Sequence, residues 1–210
     1  MISDADYSSA APIARVIRRR TTRRREALGR ALAIPEVAAA LEFVAERLGQ
    51  LDRTVQGAPD AAFGLFAERI RADFEDALDA AFAYRAAPAR DAIRDLEQIT
   101  ALLHRFRIHP ESFTDWTHGI EVEGADLSGR APSLRSVPAY PFELSRGTSV
   151  PDDSDGYIVS MSAQIVEPAV AAISEATLWV ASVTRGAVPQ PSPSDDPLQR
   201  LRELSAEAIV

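Results

Sequence analysis

The chain contains no cysteine, no lysine and no asparagine. Without cysteine there can be no disulfide, thiolate metal site or thiol nucleophile. Without lysine there is no Schiff-base chemistry, and without asparagine no N-glycosylation. All 23 cationic side chains are arginines. The joint lack of lysine and asparagine fits a GC-rich genome, so the arginines reflect composition before they reflect chemistry, and a cytoplasmic bacterial protein is expected.

Catalytic signatures are missing as well. No HExxH or ExxH stands on a helix, no serine occupies a GxSxG elbow, and neither GxxxxGK nor GxGxxG occurs. No cofactor is therefore expected. The most apolar region is interrupted by Glu167 and Glu175, and "EALGRALAIPEVAAALEFVAER" is amphipathic, unlike the apolar core of an export signal. Neither a membrane span nor a secretory leader is expected.

What the chain does contain is charge, unevenly placed. Its 210 residues carry a net charge of -8 with 46% hydrophobic and 26% charged side chains, enough for one sizeable core. Residues 1–30 hold eight arginines against Asp4, Asp6 and Glu26, a local charge of +5. The remaining fifteen arginines face twenty-eight acids, a balance of -13. The chain is a short cationic arm on an acidic body.

Helical periodicity dominates the pattern. Val37, Leu41, Val44, Leu48, Leu51 and Val55 alternate steps of four and three behind Pro35, and "QGAP" closes that helix. A further helix runs from about Asp60 to Ala86 with Phe63, Phe66, Ile70, Phe74, Leu78 and Ala81 inward. The next follows Pro88, with Ile93, Leu96, Ile99, Leu103 and Phe106 inward, and Pro110 ends it. Helical spacing resumes from Ile158 to Thr184, where Pro168 should kink the helix or mark its start. Before all of these, Ile13, Val16, Ile17, Ala27, Leu28, Ala31 and Leu32 form the stripe of a first helix. The fold class predicted is all-α, an up-and-down bundle of four to five helices whose short connections favour antiparallel neighbours.

Domain organisation follows from composition. Residues 1–11 read as a disordered start and 12–185 as the bundle, with a long irregular insert over about 109–156. "GIEVEG" in that insert has the alternation of one short β-hairpin strand. "GAVPQPSPSDDP" gives a Pro/Ser linker over 186–196, and 197–210 a terminal amphipathic helix with Leu198, Leu201, Leu204 and Ala208 on one face. That face suits docking to a partner or folding back onto the bundle, because so short a helix is marginal alone.

Two further constellations carry chemistry. His104, His109 and His118 fall near Glu111 and Asp115, and imidazole with carboxylate suits a divalent metal; the alternative is histidines complementing a helix C-terminus. Trp116, in the insert, would pin it to the bundle or meet a ligand, and pinning buries more apolar surface.

The arginine block is the sharper signal. Arg18, Arg19, Arg20, Arg23, Arg24 and Arg25 fill six of eight positions. At 100° per residue Arg15, Arg18, Arg19 and Arg25 turn away from the apolar stripe, whereas Arg20 and Arg24 lie within it. A guanidinium there cannot be buried unpaired. Either the helix projects into water, or Arg20 and Arg24 meet acids, for which Glu75, Asp79, Asp91 and Asp95 are candidates, or the block binds phosphates. The arm lacks aromatics for base stacking, and the acidic body opposes a wider nucleic-acid footprint. The function expected is a non-enzymatic interaction or assembly protein that docks to itself or to a protein partner through this arm and the terminal helix. A nucleic-acid-associated factor, and a metal-dependent enzyme on the histidine cluster, are the alternatives.

Overall fold

The computed structural model describes residues 21–56, 58, 60–118, 153–184 and 197–207. Every regular element among them is a helix, and there are seven where the sequence pattern indicates four to five. They are α1 over 21–33, α2 (Pro35–Gln56), α3 (Ala62–Phe82), α4 (Ala86–Ile108), α5 (Glu111–Thr117), α6 (Ser154–Thr184) and α7 (Pro197–Glu207). The N-terminal start, the "GIEVEG" hairpin and the Pro/Ser linker lie outside the described residues.

The predicted stripes of α2, α3 and α4 face inward. Val37, Val44, Leu48 and Leu51 of α2 are buried, with Leu41 and Val55 packed partly against the same core. Phe63, Phe66, Ile70, Phe74 and Ala81 of α3, and Ile93, Leu96, Leu103 and Phe106 of α4, meet them there. Burying one such side chain contributes about 1.5–3 kcal/mol, so the shared core holds these helices. Proline positions follow the same logic. Pro88 is the third residue of α4, inside the first turn where its missing N–H is not needed.

Two helix ends differ from the sequence pattern. α3 stops at Phe82, short of Ala86, because the chain turns left-handed at Tyr84, with φ of 56°. The Arg85 N–H then bonds the Ala80 carbonyl and the Tyr84 N–H the Ala81 carbonyl, both at 2.8 Å, satisfying carbonyls the helix would leave open. A tyrosine fills the position where glycine is usual. Its ring lies 5.3 Å from that of Tyr157, whose hydroxyl donates to the Ala81 carbonyl at 3.2 Å. Burial pushes the Tyr157 phenol well above its ordinary value, so it stays a donor.

α6 begins at Ser154, not at Pro168, since Asp153 caps it: Asp153 Oδ1 accepts the Gly156 N–H at 2.9 Å. Pro168 sits inside the helix and is buried. An interior proline costs about 3 kcal/mol, and packing on nearly every side of α6 offsets it. By length and hydropathy α6 could cross a bilayer, but 72% of its apolar window is buried inside the fold, as in a core helix of a bundle.

The helix directions correct the simple up-and-down reading. Phe63 and Phe66, at the start of α3, contact Trp179 near the end of α6, and Phe66 contacts Phe106 near the end of α4. Gly64 of α3 lies beside Val55 at the end of α2. α3 therefore runs opposite to α2, α4 and α6, while α4 and α6 are parallel neighbours. Parallel neighbours need a connection that returns the length of the bundle, which is why a long segment separates them. Its first part is structured: α5 occupies 111–117, so the irregular insert is shorter than the 109–156 indicated by composition.

Candidate functional site

α1 meets the bundle through small residues. Ala27 and Ala31 are completely buried, whereas Leu28 and Leu32 of the same expected stripe are 40% and 55% exposed. Two polar anchors set this rotation. Arg24 pairs with Asp79 of α3, and Arg30 donates to Ser154 Oγ at the start of α6, with Asp155 at 3.9 Å. Alanines let the helix approach closely enough for both anchors to form.

Beneath Thr21 and Arg24 of α1 lies a groove of about 770 Å³ between α3 and α4. Asp73, Asp76, Asp79, Asp91 and Asp95 line it, with Arg24, Arg69 and Arg85. Of the acids proposed as partners for the stripe arginines, Asp79 takes Arg24, Asp95 bonds Arg69 at 3.0 Å, and Asp91 lies 3.6 Å from Arg94 of its own helix. Glu75 is not among the lining residues. Arg69 also bonds Asp73 at 2.8 Å. Asp73 is nearly buried, and burial raises its carboxyl above the ordinary value although Arg69 pulls the other way. Among the six clustered arginines, Arg23, Arg24 and Arg25 are described; Arg18, Arg19 and Arg20 lie outside the described residues, as does Arg15.

The histidine set does not converge as a metal centre would require. His104 turns to α6, where Nδ1 lies 3.1 Å from Glu175 Oε1 and 3.0 Å from Arg107 Nη2. His109 pairs locally with Glu111 at 3.3 Å, and the His118 ring reaches the Thr114 carbonyl at 2.8 Å, closing α5. Asp115 lies on the exposed side of α5. Among the described residues no three histidine, aspartate or glutamate side chains are placed to hold one ion.

The pairing that does form is Glu175 with Arg107, at 3.0 Å from Nε, with His104 alongside. It ties α4 to α6 in a half-buried setting. Glu175 reads in sequence as a polar interruption of an apolar run; its i,i+4 spacing from Trp179 places it on the α4-facing side, which is the signal that could have found it.

The terminal helix folds back. Leu201 of α7 is 1% exposed, Leu198 and Leu204 pack partly against the core, and Arg202 bonds Glu167 of α6 at 2.8 Å. Its leucine face is occupied by α2 and α6 of its own chain, which corrects its expected availability to a partner; Ala208 lies outside the described residues.

Trp116 sits on α5 and not in a loop. It packs on Phe66 at 5.4 Å, Phe106 at 5.8 Å and Phe113 at 6.4 Å while remaining 42% exposed, so it pins the start of the insert to the bundle. No protein-family model matches this chain, and no curated protein or solved structure matches it either.

Proposed function

We propose that this is a non-enzymatic helical-bundle protein of assembly, which docks to acidic protein surface through its basic N-terminal helix. The observation that carries the reading is the Arg24–Asp79 pair beside an aspartate-lined groove. An arginine of the arm already takes a carboxylate as its partner, in a chain whose body carries most of the acid. Such a body repels polyanions beyond the arm itself, which weighs against the nucleic-acid reading. The histidines are engaged in local and interhelical contacts, which weighs against an enzyme. The terminal helix serves the bundle by covering α2 and α6.

Sizing chromatography with light scattering at low and high salt tests this. A mass above the monomer at low salt, reduced by high salt and by Arg23→Glu with Arg25→Glu, is expected. A single monomeric species under every condition overturns the reading, and low-salt binding to a short RNA duplex that those substitutions abolish would replace it with the polyanion alternative.

A further inference from the structure

His104 Nδ1 lies between two groups that make opposite demands on it. Arg107 Nη2 stands at 3.0 Å and Glu175 Oε1 at 3.1 Å. A guanidinium nitrogen can only donate, and an ionised carboxylate oxygen can only accept. Nδ1 has a single in-plane position, which holds either a lone pair or a proton. It therefore accepts from Arg107 or donates to Glu175, and it cannot do both.

The remaining contacts decide which arrangement the neutral ring takes. Arg107 Nε donates to Glu175 Oε2 at 3.0 Å, and Nη2 lies 3.5 Å from Oε1. Nη2 carries two hydrogens, so it can turn one to Oε1 and the other to Nδ1. With the ring neutral and its proton on Nε2, both of these hydrogens meet acceptors. With the proton on Nδ1 instead, a ring N–H would face an Nη2 hydrogen, donor against donor. Arg107 thus selects the Nε2–H form of the neutral ring.

Adding a proton reverses the arrangement. The proton passes from solvent to Nδ1, the Nη2–H···Nδ1 bond breaks, and a charge-assisted Nδ1–H···Oε1 bond forms. One cation and one anion become two cations around one carboxylate. The imidazolium and the guanidinium then repel each other, and Arg107, whose side chain is 30% exposed, can turn its Nη2 side to water. His104, one turn earlier on α4, takes over part of the tie to Glu175.

The helices packed on α4 bring few other charges to the ring. α3, α5 and α6 are those neighbours. On α3, Arg69 is bonded to Asp73 and Asp95. On α5, Glu111 is paired with His109 and Asp115 is exposed. Arg105 of α4 itself bonds Ser112. Among the described residues, Arg107 of α4 and Glu175 of α6 are the charged groups in contact with His104.

From this geometry we infer that the α4–α6 contact is a pH-driven exchange of hydrogen bonds centred on His104. The neutral ring accepts from Arg107, and the protonated ring donates to Glu175. Arg107 belongs to the last turn of α4, just before α5 and the long connection to α6. Acidification therefore acts at the base of that connection, by moving the tie to Glu175 from the end of α4 back toward His104. The exchange is a property of one chain and does not depend on what the basic helix docks to.

Long-range 1H–15N correlation spectra of the full chain, recorded across the imidazole titration, test it by reading the two ring nitrogens separately. His109→Gln and His118→Gln, both at exposed positions, identify which signals belong to His104. At the high-pH end the His104 proton should sit on Nε2 with Nδ1 bare; at the low-pH end both nitrogens should carry protons. Arg107→Leu removes the donor and should move the neutral ring's proton toward Nδ1, where it can donate to Glu175. Glu175→Gln should leave the neutral ring as Nε2–H and shift the titration to lower pH, because the carboxylate that favours the imidazolium is gone. Circular dichroism checks that both variants keep their helices. A parent ring that is Nδ1–H when neutral overturns the inference whatever the variants do. So does a tautomer indifferent to Arg107→Leu, or a titration unmoved by Glu175→Gln.

Discussion

Arg24 of α1 and Asp79 of α3 form an ion pair at the edge of the groove between α3 and α4. Both side chains are about half exposed, at 52% and 46%, so the pair positions α1 more than it stabilises the fold. Exposed pairs contribute about 0.2–1 kcal/mol.

Arg24→Glu sets a carboxylate beside Asp79, in a groove that also holds Asp76. A loss of about 1 kcal/mol in urea unfolding is expected, and Asp79→Arg in the same chain should recover part of it. The coupling energy of this cycle should shrink as salt is raised. Zero coupling at low salt would mean the two residues are neighbours without an energetic link.

Asp73 gives the fold a pH dependence of known sign. Burial raises its folded-state pKa above the ordinary aspartate value of 3.8. The folded state therefore holds that proton more tightly than the unfolded chain does. Stability from this group is full below the unfolded value and is lost as pH rises through the folded one. Glu97 is raised by burial as well and acts in the same direction. Asp73→Asn should flatten the decline of unfolding free energy just above pH 3.8. Parallel stability curves for the parent and the variant would contradict this.

The inward faces of α2, α3 and α4 are legible in the sequence because single apolar residues there recur at helical spacing among polar ones. α1 is not, because Ala27 and Ala31 form one i,i+4 pair and Leu28 and Leu32 another, only one residue apart. Hydrophobicity alone turns the leucines inward; the Arg24 and Arg30 anchors turn them out. α6 is apolar on nearly every side, so periodicity gives no phase and leaves its direction open. The candidate site divides the same way. Asp79 is one of four acids that charge nominates as partners for Arg20 and Arg24, and only the packing of α1 on α3 selects it; the His104–Glu175–Arg107 contact joins two helices separated by the long insert, which no local spacing encodes.

Leu201 measures how firmly α7 belongs to the bundle. It is 1% exposed, and α7 packs against α2 and α6. Leu201→Ala removes a buried side chain and leaves a cavity, at a cost of about 2–4 kcal/mol, provided that α7 unfolds together with the core. Circular dichroism and tryptophan fluorescence, with Trp179 in the core, should then give one coincident urea transition shifted to lower denaturant. A loss below about 0.5 kcal/mol would show that α7 leaves the bundle before the core melts.

Tyr84 separates backbone strain from side-chain packing. Its left-handed backbone costs a non-glycine residue about 1–2 kcal/mol, and its ring compensates by packing on Tyr157. Tyr84→Ala and Tyr84→Gly both remove the ring, so both should destabilise the chain. They differ in the backbone, where alanine keeps the strain and glycine relieves it. Tyr84→Gly should therefore be the more stable of the two by about 1 kcal/mol, the reverse of their order inside a helix. Equal stabilities, or alanine above glycine, would mean that the chain can end α3 without the left-handed turn. In that case the Ala80 and Ala81 carbonyls would have found other donors.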